Sequence, residues 1–183
     1  MINIHRVRGH LKKKRKNVLS LLAEMGTELR IAEIGVCKGH FLRHLMNSPN
    51  VSIGVGVDLW DSSYLDGVEI LEAISVLSEV NVTLVQGKSS EVAKQFEDGY
   101  FDFIYIDADH RYEGILKDIT AWYPKLVPGG LFGGHDYVNH TIDLDGEYVF
   151  GVVKAVNEFI SREGLEIHVT PEKYPSWFVV KPV

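Results

Sequence analysis

Arg30-Ile31-Ala32-Glu33-Ile34-Gly35-Val36-Cys37-Lys38-Gly39 is the stretch on which the fold turns. An apolar run closes on two glycines, and Phe41, Leu42 and Leu45 then follow at helical spacing. Strand, glycine loop and helix in that order make the first unit of a parallel sheet covered by helices. The alternation repeats outward from it. Strands are predicted over Arg30–Gly35, Val51–Asp58, Asn81–Gln86, Phe101–Asp107 and Gly130–Gly134, and their apolar character suits burial on both faces. Val68, Leu71, Ile74 and Leu77 predict a helix that covers the sheet. Ser89 or Ser90 before Glu91 reads as a helix N-cap, while Ile115, Ile119, Trp122 and Leu126 keep a helical spacing from Tyr112. Pro128-Gly129-Gly130 punctuates the chain, and Tyr137–Tyr148 reads as a long loop. Val152, Val153, Val156, Phe159 and Ile160 mark a last helix ending at Gly164, with closing strands over Glu166–Thr170 and Trp177–Lys181.

No repeat or linker-like stretch divides the 183 residues, which predicts one domain over 1–183: a helical, partly basic lead-in over 1–28 and an α/β core over 29–183. A net charge of −6 speaks against a general nucleic-acid binder, which needs basic surface to displace counterions, and favours a small-molecule partner. Arg6, Arg8, Lys12, Lys13, Lys14, Arg15 and Lys16 are read as a solvated helix face. The apolar residues after them, Val18, Leu19, Leu21, Leu22 and Met25, are too interrupted for a signal peptide, and no stretch has the length of a membrane span. With Cys37 as the single cysteine, the expectation is a cytoplasmic protein, its oligomeric state left open.

Ligands of open parallel sheets bind beyond the carboxyl ends of the strands, near the point where the strand order reverses. Those ends here carry Glu33 with Gly35 and Gly39, then Asp58, then Gly87-Lys88-Ser89-Ser90, then Asp107-Ala108-Asp109-His110, then His135-Asp136. The first loop lacks the G-x-G-x-x-G order of dinucleotide binders. A carboxylate at Glu33 repels a pyrophosphate but attracts an ammonium or sulfonium group. Asp58 is placed to accept hydrogen bonds from ribose hydroxyls, and Gly87 with Ser89 to meet an adenine edge. Trp60 is read either as a cover for the adenine or as core.

The ordered set Glu33-Ile34-Gly35, Gly56-Val57-Asp58, Ile106-Asp107-Ala108-Asp109-His110-Arg111-Tyr112-Glu113, Pro128-Gly129-Gly130 and His135-Asp136 resembles class I S-adenosylmethionine-dependent methyltransferases. The likeness is greatest to a bacterial small-molecule branch similar to catechol-type and macrolide-sugar O-methyltransferases. It implies a Rossmann-like three-layer sandwich, with a seven-stranded, mostly parallel sheet and an antiparallel C-terminal strand. It further implies S-adenosylmethionine as cofactor, held by Glu33, Gly35, Gly39, Asp58, Trp60, Gly87, Ser89 and Asp107. Cys37 departs from the family's usual glycine, and Phe41 stands where many relatives place a small hydroxyl near the methionine carboxylate.

The resemblance also implies a divalent metal, Mg²⁺ or Mn²⁺, on Asp107, His135 and Asp136, there to lower the pKa of an acceptor hydroxyl. His110 is the expected base, since an unperturbed imidazole titrates near neutrality, and His135 is its rival. Asp109, Tyr112 and Glu113 are ranked as structural, and Tyr137, Asn139 and His140 are placed near substrate by position alone. His5, His10, His40, His44, His140 and His168 are read as ordinary hydrogen-bonded residues. The reaction expected is methyl transfer to a small-molecule oxygen nucleophile. Two other classes compete: an NAD-dependent oxidoreductase, against which the glycine pattern counts, and a methyltransferase-like protein that binds without turnover.

Overall fold

The computed structural model describes residues 2–61, 68–139, 141–142 and 148–183. The lead-in forms α1 (Ile4–His10), a 3₁₀ turn (Arg15–Asn17) and α2 (Val18–Met25). The core then alternates β1 (Leu29–Ile34), α3 (His40–Leu45), β2 (Val51–Asp58), α4 (Val68–Leu77), β3 (Val82–Gln86), α5 (Ser89–Val92), β4 (Phe101–Ile106), α6 (Tyr112–Trp122) and β5 (Leu126–Gly134). A two-strand pair, β6 (Thr141–Ile142) and β7 (Tyr148–Val149), precedes α7 (Val152–Glu163), β8 (His168–Val169) and β9 (Trp177–Val180).

The seven-stranded sheet has the order β3-β2-β1-β4-β5-β9-β8. β1 to β5 run parallel, whereas β9 pairs antiparallel with both β5 and β8. Strand order reverses between β1 and β4, so the crevice that the fold offers a ligand opens at their carboxyl ends. Alternation along β4 feeds two cores: Phe103 and Tyr105 face α1 to α4, while Ile104 and Ile106 face α5 to α7. All four are fully buried.

The structure corrects several local expectations. In α4 it is Ala73 and Leu77 that are buried, whereas Val68, Leu71 and Ile74 are 55%, 65% and 52% exposed. A strict three-residue step drifts around a helix of 3.6 residues per turn, and the covering pair is instead the one four residues apart. Ser89 is the first helical residue of α5 rather than its cap, and its hydroxyl accepts the Trp122 indole N–H at 2.7 Å. Pro128-Gly129-Gly130 lies inside β5, where the pairing with β4 slips from Phe101↔Leu126 to Phe103↔Leu131. The stretch read as a long loop contains β6 and β7, whose antiparallel pairing closes it at both ends. Asp143, Asp145 and Gly146, assigned to that loop, lie outside the described residues.

Asp118 on α6 is buried beside Ser89. Burial pushes its carboxyl up to about 6, only partly offset by the Ser89 hydroxyl. The folded state therefore holds this proton more tightly than the unfolded chain, and stability is lost as pH rises from about 4 to above 6. Asp118→Asn is expected to stabilise the protein by roughly 2–3 kcal/mol at pH 7 and by nothing measurable near pH 3, read by urea unfolding at both.

Candidate active site

The crevice is built on a close crossing of β1 and β4. Gly35 has φ +90°, and a Cβ there would meet the Asp107 carbonyl oxygen at 2.1 Å. Only glycine lets the chain turn so close to the end of β4. The Asp107 N–H donates to the Ile34 carbonyl at 2.6 Å, and the Gly35 N–H donates to Val57 at 2.8 Å, locking three strand ends together. Gly39, at φ +80°, opens α3.

Asp58 holds the glycine loop from the end of β2. Its two carboxylate oxygens accept the Cys37 N–H at 2.7 Å and the Trp60 N–H at 2.9 Å. Both donors sit at positive φ, +49° and +40°, so these bonds stabilise a backbone that resists its own side chains. Trp60 is 5% exposed, packs with the core and donates its indole N–H to the Cys37 carbonyl at 2.8 Å. Of the two readings of Trp60, the geometry supports core. The Gly87 N–H donates to the Asp58 carbonyl at 2.9 Å.

Glu33 is 2% exposed, and its Oε2 has no hydrogen-bond partner. Burial, and then the nearby Asp107 carboxylate, push its carboxyl well above the usual range. It lines a cleft of about 270 Å³ together with Arg15, Gly35, Cys37, Phe41 and Asp107. Arg15 was not foreseen as a site residue, because the basic run gives it no mark that its neighbours lack. Lys12, Lys13, Lys14 and Lys16 are exposed as expected, but Arg15 turns inward to Tyr105 Oη at 3.2 Å and Asp107 Oδ2 at 3.1 Å. Its guanidinium lies 4.5 Å from the Phe41 ring centroid.

Asp107 is shared with a second cluster across the end of the sheet. His110 Nε2 lies 3.0 Å from Asp136 Oδ2 and 3.5 Å from Asp107 Oδ1. His135 Nδ1 lies 3.2 Å and 3.5 Å from the same two oxygens. His110 stacks on Phe150 with centroids 5.0 Å apart, and its carbonyl accepts the Gly151 N–H at 2.7 Å. Burial alone would lower both imidazoles, yet hydrogen bonds to Asp107 and Asp136 raise each to about 9. Burial would raise Asp107, and His110, His135 and Arg15 instead hold it at about 2. Asp136 is lowered in the same way. The carboxylates thus favour the charged ring of His110, a departure from the unperturbed imidazole assumed for a base.

Ligand atoms of Asp107, His110 and Asp136 all lie within 4.8 Å of one another. His110 thus joins the two acids in a group that sequence reasoning completed with His135. Asp109 binds the Arg111 guanidinium at 2.7 Å, and Tyr112 donates to Glu158 at 2.5 Å. Glu113 is an exposed residue of the first turn of α6. Tyr137 donates to Asn157, Asn139 is exposed, and His140 lies outside the described residues. His10, His40, His44 and His168 are hydrogen-bonded, and His5 is exposed.

The methyltransferase domain family matches residues 32–137. No curated protein sequence matches the chain. Among solved structures, the precorrin-6Y C5,15-methyltransferase of Geobacter metallireducens is similar at a TM-score of 0.66 and 17% identity, over 94% of this chain and 91% of that one. The O-methyltransferase of Bacillus cereus, in complex with S-adenosylhomocysteine, gives 0.66 and 19% over 91% and 80%. TomG, the Streptomyces achromogenes O-methyltransferase of tomaymycin synthesis, in complex with S-adenosylmethionine, gives 0.66 and 18% over 91% and 78%. The family match and the fold together identify a class I S-adenosylmethionine-dependent methyltransferase. The chain belongs to the methyltransferase domain family. Among the described residues, no helix is long and apolar enough to cross a membrane.

Gly35→Ala is expected to cost at least about 2 kcal/mol, because both the positive φ and the Asp107 carbonyl oppose a methyl group there. Chemical unfolding of the variant beside Gly99→Ala, an open position that also has positive φ, separates the two causes: Gly35→Ala should be clearly the worse.

Proposed function

We propose that this methyltransferase binds S-adenosylmethionine across the ends of β1 and β2 and transfers its methyl group to an oxygen of a small-molecule acceptor. The observation that carries this reading is the placement of Asp107, which lines the Glu33–Gly35 cleft and also belongs to the cluster with His110, His135 and Asp136. Cofactor and acceptor sites thus adjoin. The names of the Bacillus cereus and TomG neighbours support oxygen as the methylated atom.

Glu33 meets the cationic portion of the cofactor, whose arrival adds to the pull of Arg15 in favouring the ionised carboxylate. Gly35 and Gly39 let the backbone approach it closely. Asp58 anchors the loop through one lone pair on each oxygen, which leaves acceptor capacity for the ribose hydroxyls. Ser89 is occupied by Trp122, so contact with the adenine edge falls to the Gly87–Lys88 backbone.

Two carboxylates and an imidazole within 4.8 Å suit a divalent cation that takes both oxygen and nitrogen ligands, Mn²⁺ more than Mg²⁺. Asp107, His110 and Asp136 would hold it, with His135 at their side. When bound, such an ion supplies Lewis acidity that lowers the pKa of an acceptor hydroxyl. The residues themselves supply position and charge: they fix the acceptor oxygen beside the sulfonium methyl and exclude water from it.

Release of S-adenosylhomocysteine with catechol and sugar acceptors, with and without Mn²⁺, tests this. His110→Ala is expected to lower turnover by about 100-fold or more while S-adenosylhomocysteine affinity stays within about twofold. Unchanged turnover in that variant would remove the cluster from the reaction. Nitrogen or carbon methylation with no oxygen product would overturn the choice of nucleophile.

A further inference from the structure

The rim of the cleft carries three basic side chains, and they are not equivalent. Lys38 and His40 are both drawn outward to Glu72, at 3.2 Å and 2.9 Å. Arg15 is held inward. Its backbone N–H donates to Glu172 at 2.7 Å, which pins the lead-in to the segment between β8 and β9. Its guanidinium rests on Phe41, and Nη1 alone serves Tyr105 and Asp107. Among the described residues, Nη2 and Nε make no hydrogen bond. Its side chain, 24% exposed, thus keeps donor capacity toward the cleft. On the same cleft Glu33 offers a buried carboxylate oxygen without a partner. A cation with spare donors and an acid with a spare acceptor are the complement of a zwitterion, a group bearing an ammonium and a carboxylate on one carbon.

We infer that Arg15 grips the α-carboxylate of the cofactor's methionine moiety while Glu33 takes its α-ammonium group, which makes the lead-in part of the cofactor site. The inference rests on the reading that S-adenosylmethionine occupies this cleft. A planar guanidinium on an aromatic platform presents its edge to a carboxylate in a fixed direction, and lysine cannot reproduce that geometry.

5′-Methylthioadenosine separates the two readings, because it keeps the nucleoside and the sulfur but lacks the amino-acid group. Calorimetric titration of the full chain should show Arg15→Gln weakening S-adenosylhomocysteine by about 10- to 100-fold and methylthioadenosine by no more than about twofold. Arg15→Lys should fall between the wild type and Arg15→Gln for the first ligand only. Equal loss for both ligands would assign Arg15 to loop support and overturn the inference. Unchanged S-adenosylhomocysteine affinity would overturn it too. If the wild type binds neither ligand, it is the cofactor reading that fails, and the inference falls with it.

Discussion

The working end of this protein depends on how closely β1 approaches β4. Gly35 passes so near the Asp107 carbonyl that no side chain fits between them, and the Asp107 N–H is bonded back to Ile34 at 2.6 Å. That contact sets the Glu33 carboxyl and the Asp107 carboxylate on neighbouring strand ends where the sheet order reverses. The two acids then take opposite electrostatic courses. Glu33 has no hydrogen-bond partner for Oε2, and burial pushes its carboxyl well above the usual range. Asp107 lies between Arg15 and two imidazoles and stays ionised despite burial.

Charge compensation explains why so many ionisable groups can share so small a space. An unpaired buried charge is costly, and Asp107 and Asp136 are each met by more than one cationic partner. The two carboxylates favour the charged form of both imidazoles, against the effect of burial. A divalent cation would bind there only with its histidine ligand deprotonated, since only a neutral imidazole has a lone pair to give.

Most of the fold was legible in the sequence because buried parallel strands read as short apolar runs and their ends are marked by acids and glycines. Val51–Asp58 was recovered to the residue. Glu33, Asp58 and Asp107 stand out for the same reason: an acid closing an apolar strand is conspicuous. What could not be read depends on packing between distant segments. The exposed side of α4 follows from how that helix rolls onto α3, and the bond from Ser89 to Trp122 spans two helices. Arg15 lies far from Asp107 in the chain and looks like any other member of a basic run. Phe41 stands out in the sequence only as a departure from the resembled family's pattern, and its ring carries the Arg15 guanidinium.

Cofactor class is the central claim, and it rests on the family match together with an acid whose buried Oε2 has no partner where a dinucleotide binder would need donors for phosphate. The direct test is calorimetric titration of chelator-treated protein with S-adenosylhomocysteine and, separately, with NAD. The account predicts saturable one-to-one binding of S-adenosylhomocysteine and no detectable heat from NAD. Binding of NAD alone, or of neither ligand, would contradict it.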